Sequence, residues 1–221
     1  MGGMTIRPIT ADDDEAMGTI ARDNLAAVGL DIPGTAFFDP EIMHLSGFYD
    51  EDPARRRYYV AVDDAGRVLG GCGLAEFLPL DGVAELQKLY LADEAKGHGL
   101  GTRLVGLVEG AARELGYRSL YLETHSKLEA AIHLYEKLGY RAIDPVSPGH
   151  VAMDHFFIKD LELRVWLAAA RSCPPAPSCA VMLMRGHRGP RIVPSYWRAS
   201  TVAPNRPVVM LARQHRIDSA S

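Results

Sequence analysis

Lys96-Gly97-His98-Gly99-Leu100-Gly101 runs directly into Thr102-Arg103-Leu104. Glycines at alternate positions let a backbone turn tightly and expose consecutive N–H groups. With a helix N-terminus behind them, such groups form an anion cradle suited to a pyrophosphate. Lys96 adds a cation. The loop is not a Walker A motif, because no Gly-Lys-Ser/Thr follows. It is a poor dinucleotide fingerprint as well: counted from Gly97, GxGxxG requires glycine at position 102, where Thr102 stands. No metal is expected. The three cysteines include no CxxC pair, and Cys173 and Cys179 with His187 and His215 have poor zinc spacing. Cys72 lies in a strand pattern and predicts a buried, inert thiol. Arg55-Arg56-Arg57 reads as a solvated run before a strand.

The elements that must position this loop can be traced along the chain. Thr5–Ile9 predicts a first strand, with Pro8 at an edge or end. Thr10 is a good N-cap, and Asp12, Asp13, Asp14 and Glu15 suit a helix start. Met17, Ile20, Ala21, Leu25 and Val28 keep the helical period up to Gly29. A short helix is expected over 40–49. Residues 58–62 and 67–74 predict a hairpin whose glycines imply close backbone approach or a bulge. Residues 83–91 predict another strand. Leu100, Leu104, Leu107, Val108, Ala111 and Leu115 form a helical stripe, followed by a strand at 118–123. Leu128, Ala131, Ile132, Tyr135 and Leu138 form a second stripe, and 140–143 and 151–158 predict closing strands. Helices between strands imply parallel neighbours and hairpins imply antiparallel ones, so the fold class is α/β with a mixed sheet.

The charge is divided unequally. The 221 residues carry a net −4, but residues 161–221 hold nine Arg, no Lys, Glu162 and Asp218, for +7. Residues 1–160 therefore hold 15 Lys and Arg against 26 Asp and Glu, for −11. Half of the 14 prolines fall in the basic segment. The sequence predicts a folded domain over 1–160 and a poorly ordered arginine- and proline-rich extension over 161–221. That extension reads as a loosely docked tail, an arm for a polyanion, or a stretch not selected to fold. No apolar run approaches the length of a membrane span, and Met1–Ile6 has no leader pattern. Cysteine usage fits a reducing cytoplasm. The acidic main part argues against nucleic acid as a partner.

The flanks of the glycine turn make it specific. The sequence resembles the GNAT superfamily of acyl-CoA-dependent N-acetyltransferases, in which a strand, Gln/Arg-x-x-Gly-x-Gly/Ala and a helix follow in order. Here these are Glu85-Leu-Gln-Lys-Leu-Tyr-Leu91, Lys96-Gly-His-Gly-Leu-Gly101 and Thr102-Arg103-Leu104. The family's later Leu-Tyr-Glu-Lys-Leu-Gly-Phe/Tyr helix corresponds to Leu134-Tyr135-Glu136-Lys137-Leu138-Gly139-Tyr140. The resemblance covers about residues 4–160. Lys96 stands where the family has Gln or Arg, and Leu128 where an Asn is common.

The resemblance implies a mostly antiparallel central sheet flanked by helices and splayed between the strands at 83–91 and 118–123. Acetyl-CoA is implied as co-substrate, without a metal. Its pantetheine arm would lie in the gap against the backbone of Leu89, Tyr90 and Leu91. The pyrophosphate would sit on Lys96, Gly97, His98, Gly99, Leu100, Gly101 and Thr102. Acetyl transfer from a thioester to an amine requires a base for the amine, donors for the oxyanion, and a proton for the thiolate. Glu85 is the implied base, directly or through water; its bland alternative is a strand glutamate paired with Lys88 or another surface cation. Tyr135 is the implied general acid, and a backbone N–H near Leu89 the oxyanion donor. His125 is a second candidate base, and Glu123 and Thr124 could line the acceptor site. The expected acceptor is a primary amine of a small molecule or amino acid. A protein or peptide acceptor, or a catalytically silent acyl-CoA-binding domain with a partner-binding tail, are the alternatives. A monomer and a homodimer both fit.

Overall fold

In the computed structural model, residues 3–146 and 152–161 are described. The expected extension at 162–221 lies outside them. Seven strands form one sheet in the order β1-β2-β3-β4-β5-β7-β6. They are β1 (Met4–Pro8), β2 (Arg57–Asp63), β3 (Val68–Glu76), β4 (Val83–Leu91), β5 (Ser119–Thr124), β6 (Arg141–Ala142) and β7 (His155–Asp160). Only β4 and β5 run parallel. Their connection is α3 (Leu100–Glu114), the crossover that a parallel pair demands. The other helices are α1 (Asp14–Ala27), α2 (Leu45–Asp50) and α4 (Glu129–Lys137).

Two apolar layers sandwich the sheet. The α3 stripe buries Leu100, Leu104 and Val108 against Cys72, Leu74, Leu86 and Leu120. A separate cluster joins Met17 and Leu45 to Tyr49, Tyr58 and Val60. Gly71 of β3 permits this second layer to close: a Cβ there would stand 2.5 Å from the Tyr58 ring and 2.8 Å from the Tyr59 carbonyl oxygen. Among the described residues, no helix is long and apolar enough to cross a membrane.

Several boundaries differ from the sequence expectation. Thr10 opens a single 3-10 turn at Ala11–Asp13, and α1 begins only at Asp14. The helix expected over 40–49 is replaced by turns followed by α2. The Asp14 carboxylate accepts hydrogen bonds from the Ser46 N–H (2.8 Å) and hydroxyl (2.7 Å), so α1 supplies the polar partner for the first turn of α2. Arg118 precedes β5 instead of opening it. The last strand begins at His155, because Asp154 is occupied in holding Ser126 N and Oγ at 2.7 Å.

Asp13 fixes the junction between β1 and α1. Arg7 donates to both of its oxygens at 2.6 and 2.8 Å, and Thr10 donates through its N–H and hydroxyl at 2.8 Å. Burial alone would raise this carboxyl; the Arg7 and Thr10 hydrogen bonds outweigh it and hold Asp13 below the ordinary carboxylate value. Its contribution to stability is therefore complete above the unfolded-state pKa of about 3.9 and is lost as pH falls through the lowered folded value. Asp13→Asn is expected to cost about 2 kcal/mol in urea unfolding at pH 7. The deficit should shrink below pH 4; a deficit independent of pH would contradict this account.

Candidate active site

The sheet is incomplete at its centre. β4 pairs with β5 through Val83↔Ser119, Ala84↔Leu120 and Glu85↔Tyr121 only. β5 continues with β7 as far as Thr124. Among the described residues, the β5-facing edge of β4 pairs with no strand beyond Glu85. A bulge in the β3–β4 register lies between the Gly71↔Tyr90 and Gly73↔Gln87 pairs. Lys88 occupies it at φ 53°, a left-handed conformation that a side chain resists, and the Tyr58 hydroxyl donates to its carbonyl at 2.8 Å. Ala92 N–H donates to Leu69 O at 2.9 Å. Pair alternation then turns the backbone groups of Leu91 away from β3. The Leu91 carbonyl accepts the Asn24 amide at 2.9 Å, so part of this expected contact edge is already engaged.

A cleft of about 1040 Å³ follows the open edge. Leu89, Tyr90 and Leu91 line it, as do Lys96, Gly97, Gly99, Leu100, Gly101 and Thr102. Gly97 and Gly99 have φ of 78° and 75°. Among the described residues, the backbone N–H groups of 97–102 donate to no protein acceptor. A run of undonated N–H groups at the start of α3 is what the glycine turn predicts. Gly101 serves packing: a Cβ there would stand 3.0 Å from Leu134 Cδ2. Two side chains depart from expectation. Lys96 lies 2.7 Å from Asp93, which partly neutralises its cation. His98 faces a separate cavity of about 430 Å³ beside Arg67 and Glu94, so only its backbone belongs to the turn at the cleft.

Glu85 and Tyr135 line the same cleft. Gln87 Nε2 donates to Glu85 Oε2 at 2.7 Å. Lys88 Nζ, nearly buried, lies 2.5 Å from Asp39 and 3.2 Å from Glu41. Tyr135 is 5% exposed and packs near Tyr140 and Phe157. Burial pushes its phenol well above the ordinary value, so it is protonated at neutral pH. Burial also pushes the Cys72 thiol up, in keeping with an inert side chain. Glu123 and Thr124 line the cleft. His125 instead folds onto its own turn, its Nδ1 accepting from the Lys127 N–H at 3.1 Å.

Sequence reasoning missed the roles of Gln87 and Asn24 and the pairing of Lys88 with Asp39 and Glu41. Only Gln87 left a signal: it falls two residues from Glu85, on the same face of a strand.

Residues 26–140 match the model of the Acetyltransferase (GNAT) family. The chain is 34% identical over 163 residues to the uncharacterized N-acetyltransferase YjgM of Escherichia coli, covering 71% of this chain and 94% of that one. An acetyltransferase of GNAT family from Staphylococcus aureus Mu50 superposes with a TM-score of 0.63 at 16% identity, covering 72% of this chain and 100% of that one. The paiA N-acetyltransferase of Thermoplasma acidophilum, solved in complex with coenzyme A, gives 0.58 at 19% identity, covering 72% and 99%. With its glycine turn and unfinished sheet inside the matched span, the chain belongs to the GNAT family of acetyltransferases.

Proposed function

We propose that this enzyme transfers the acetyl group of acetyl-CoA directly to a primary amine of a small molecule or amino acid. The observation that carries the reading is that, among the described residues, the β4 edge after Glu85 is unpaired and the backbone N–H groups of 97–102 donate to no acceptor. Such an edge fits an extended amide chain, and such a turn fits a pyrophosphate. The co-substrate supplies the thioester. Leu89, Tyr90 and Leu91 hold the thin arm, and residues 96–102 hold the phosphates. Glu85 takes a proton from the amine, whose nitrogen then forms the new C–N bond as the C–S bond breaks. A backbone N–H near Leu89 receives the developing oxyanion. Tyr135 gives its proton to the leaving sulfur. An ordinary thiol has a pKa of about 8.5, and a dry cleft raises the sulfur's proton affinity as it raises that of the phenol.

The acceptor reading rests on charge. Asp39, Glu41 and Glu85 lie within electrostatic reach of Tyr49, with Lys88 beside them and Glu123 also lining the cleft. Along the whole cleft Asp39, Glu41, Glu85, Glu123 and Glu129 stand against Lys88, Lys96 and Lys127, a balance that favours a cationic amine. Acetyl-CoA-dependent thiol release across amines, amino acids and peptides tests this. A saturable signal preferring small cationic amines is expected. A preference for peptides would move the acceptor class. Tight acetyl-CoA binding with no acceptor-dependent release would overturn the enzyme reading in favour of a binding module.

The turn has its own test. Gly99→Val forces a β-branched residue into φ 75°, which costs about 1–2 kcal/mol, and adds bulk beside the phosphate cradle. The KM for acetyl-CoA is expected to rise about tenfold or more, with a smaller change in kcat. An unchanged KM would remove the turn from the binding site.

A further inference from the structure

Gln87 is joined at both ends. Its Nε2 donates to Glu85, and its Oε1 accepts from the Tyr49 hydroxyl at 3.0 Å. Tyr49 is 2% exposed and is held by the rings of Phe48 and Tyr58, at centroid distances of 5.0 and 4.9 Å. Burial keeps its phenol protonated, and hence a donor. A donor at Tyr49 and a carboxylate at Glu85 admit one orientation of the amide between them: oxygen toward Tyr49, nitrogen toward Glu85. The reverse orientation would set an amide oxygen against carboxylate oxygens.

Resting on the assignment of Glu85 as base, we propose that Gln87 is a positioning residue that anchors the Glu85 carboxylate to the core through Tyr49 and holds it ionised and aimed into the cleft. A hydrogen bond donated to the charged form favours that form. Other charged and titratable groups surround the Tyr49–Gln87–Glu85 chain. Tyr121 and Glu123 come from β5, where the Tyr121 hydroxyl donates to Glu123 at 2.8 Å. Asp39 and Glu41 approach from the segment before α2, each paired with Lys88. The Gln87 amide, which donates to the Glu85 carboxylate, supports its charged form. Removing the amide therefore moves the Glu85 ionisation upward.

The test is the kcat–pH profile at saturating acceptor for the wild type, Gln87→Leu, Tyr49→Phe and Glu85→Gln. Gln87→Leu is expected to move the acid limb up by about one pH unit, so that the rate falls most at low pH. Tyr49→Phe keeps the ring and should move the limb the same way by less, which guards against a folding defect in Gln87→Leu. In the Glu85→Gln background, Gln87→Leu should cost less than twofold more. A uniform loss at all pH values in both variants, with the limb unmoved, would overturn the positioning role and leave Glu85 as base. A limb that survives Glu85→Gln would overturn the base assignment, and this inference with it.

Discussion

Tyr135→Phe is expected to lower kcat about 100-fold while the Kd for acetyl-CoA stays within about twofold of wild type. The substitution removes one oxygen and keeps the ring that packs near Tyr140 and Phe157. Melting temperature should therefore change little, which separates lost chemistry from lost fold. The proposed role of the hydroxyl begins only when the C–S bond breaks, so the loss belongs in kcat. Because burial holds the phenol protonated well above its ordinary range, wild-type activity should show no alkaline loss from Tyr135 up to about pH 9. An unchanged kcat would leave the thiolate to be protonated by solvent and would reduce Tyr135 to a wall of the cleft.

Glu85→Gln is expected to lower kcat by a similar factor, about 100-fold, and to abolish the acid limb of its pH profile. The amide preserves size and removes the capacity to accept a proton at neutral pH. It also sets an amide against the Gln87 nitrogen, and a flipped side chain can still present its oxygen there. The neighbourhood therefore need not collapse. Raising the pH should restore part of the rate, because a larger share of the acceptor then arrives as free amine. A variant with full activity at pH 7 would shift the proton transfer to another group. Glu123, which lines the cleft from β5, is one alternative.

The parts legible in the sequence were those written in short stretches of chain. The glycine turn, the α3 stripe and the Leu134–Tyr140 motif each depend on neighbours within a few residues, and the observed elements follow them closely. The Lys88 bulge, the Asp14 partner of α2 and the Asn24 contact to Leu91 depend on pairs 30 to 70 positions apart. No local pattern announces them. Gln87 shows the difference: strand alternation places it beside Glu85, but its second partner, Tyr49, lies 38 residues away on α2.

An open strand edge ordinarily invites another chain, and with it aggregation. The unpaired stretch of β4 after Glu85 is an edge of this kind, yet it lies inside the sheet, between β3 and the diverging β5. A foreign strand would need room for side chains on both faces, and α3 already packs one of them. A slender amide chain needs no such room. On the proposed function, the same gap that leaves the sheet unfinished is filled by a ligand that mimics backbone, so the edge is occupied without a second chain.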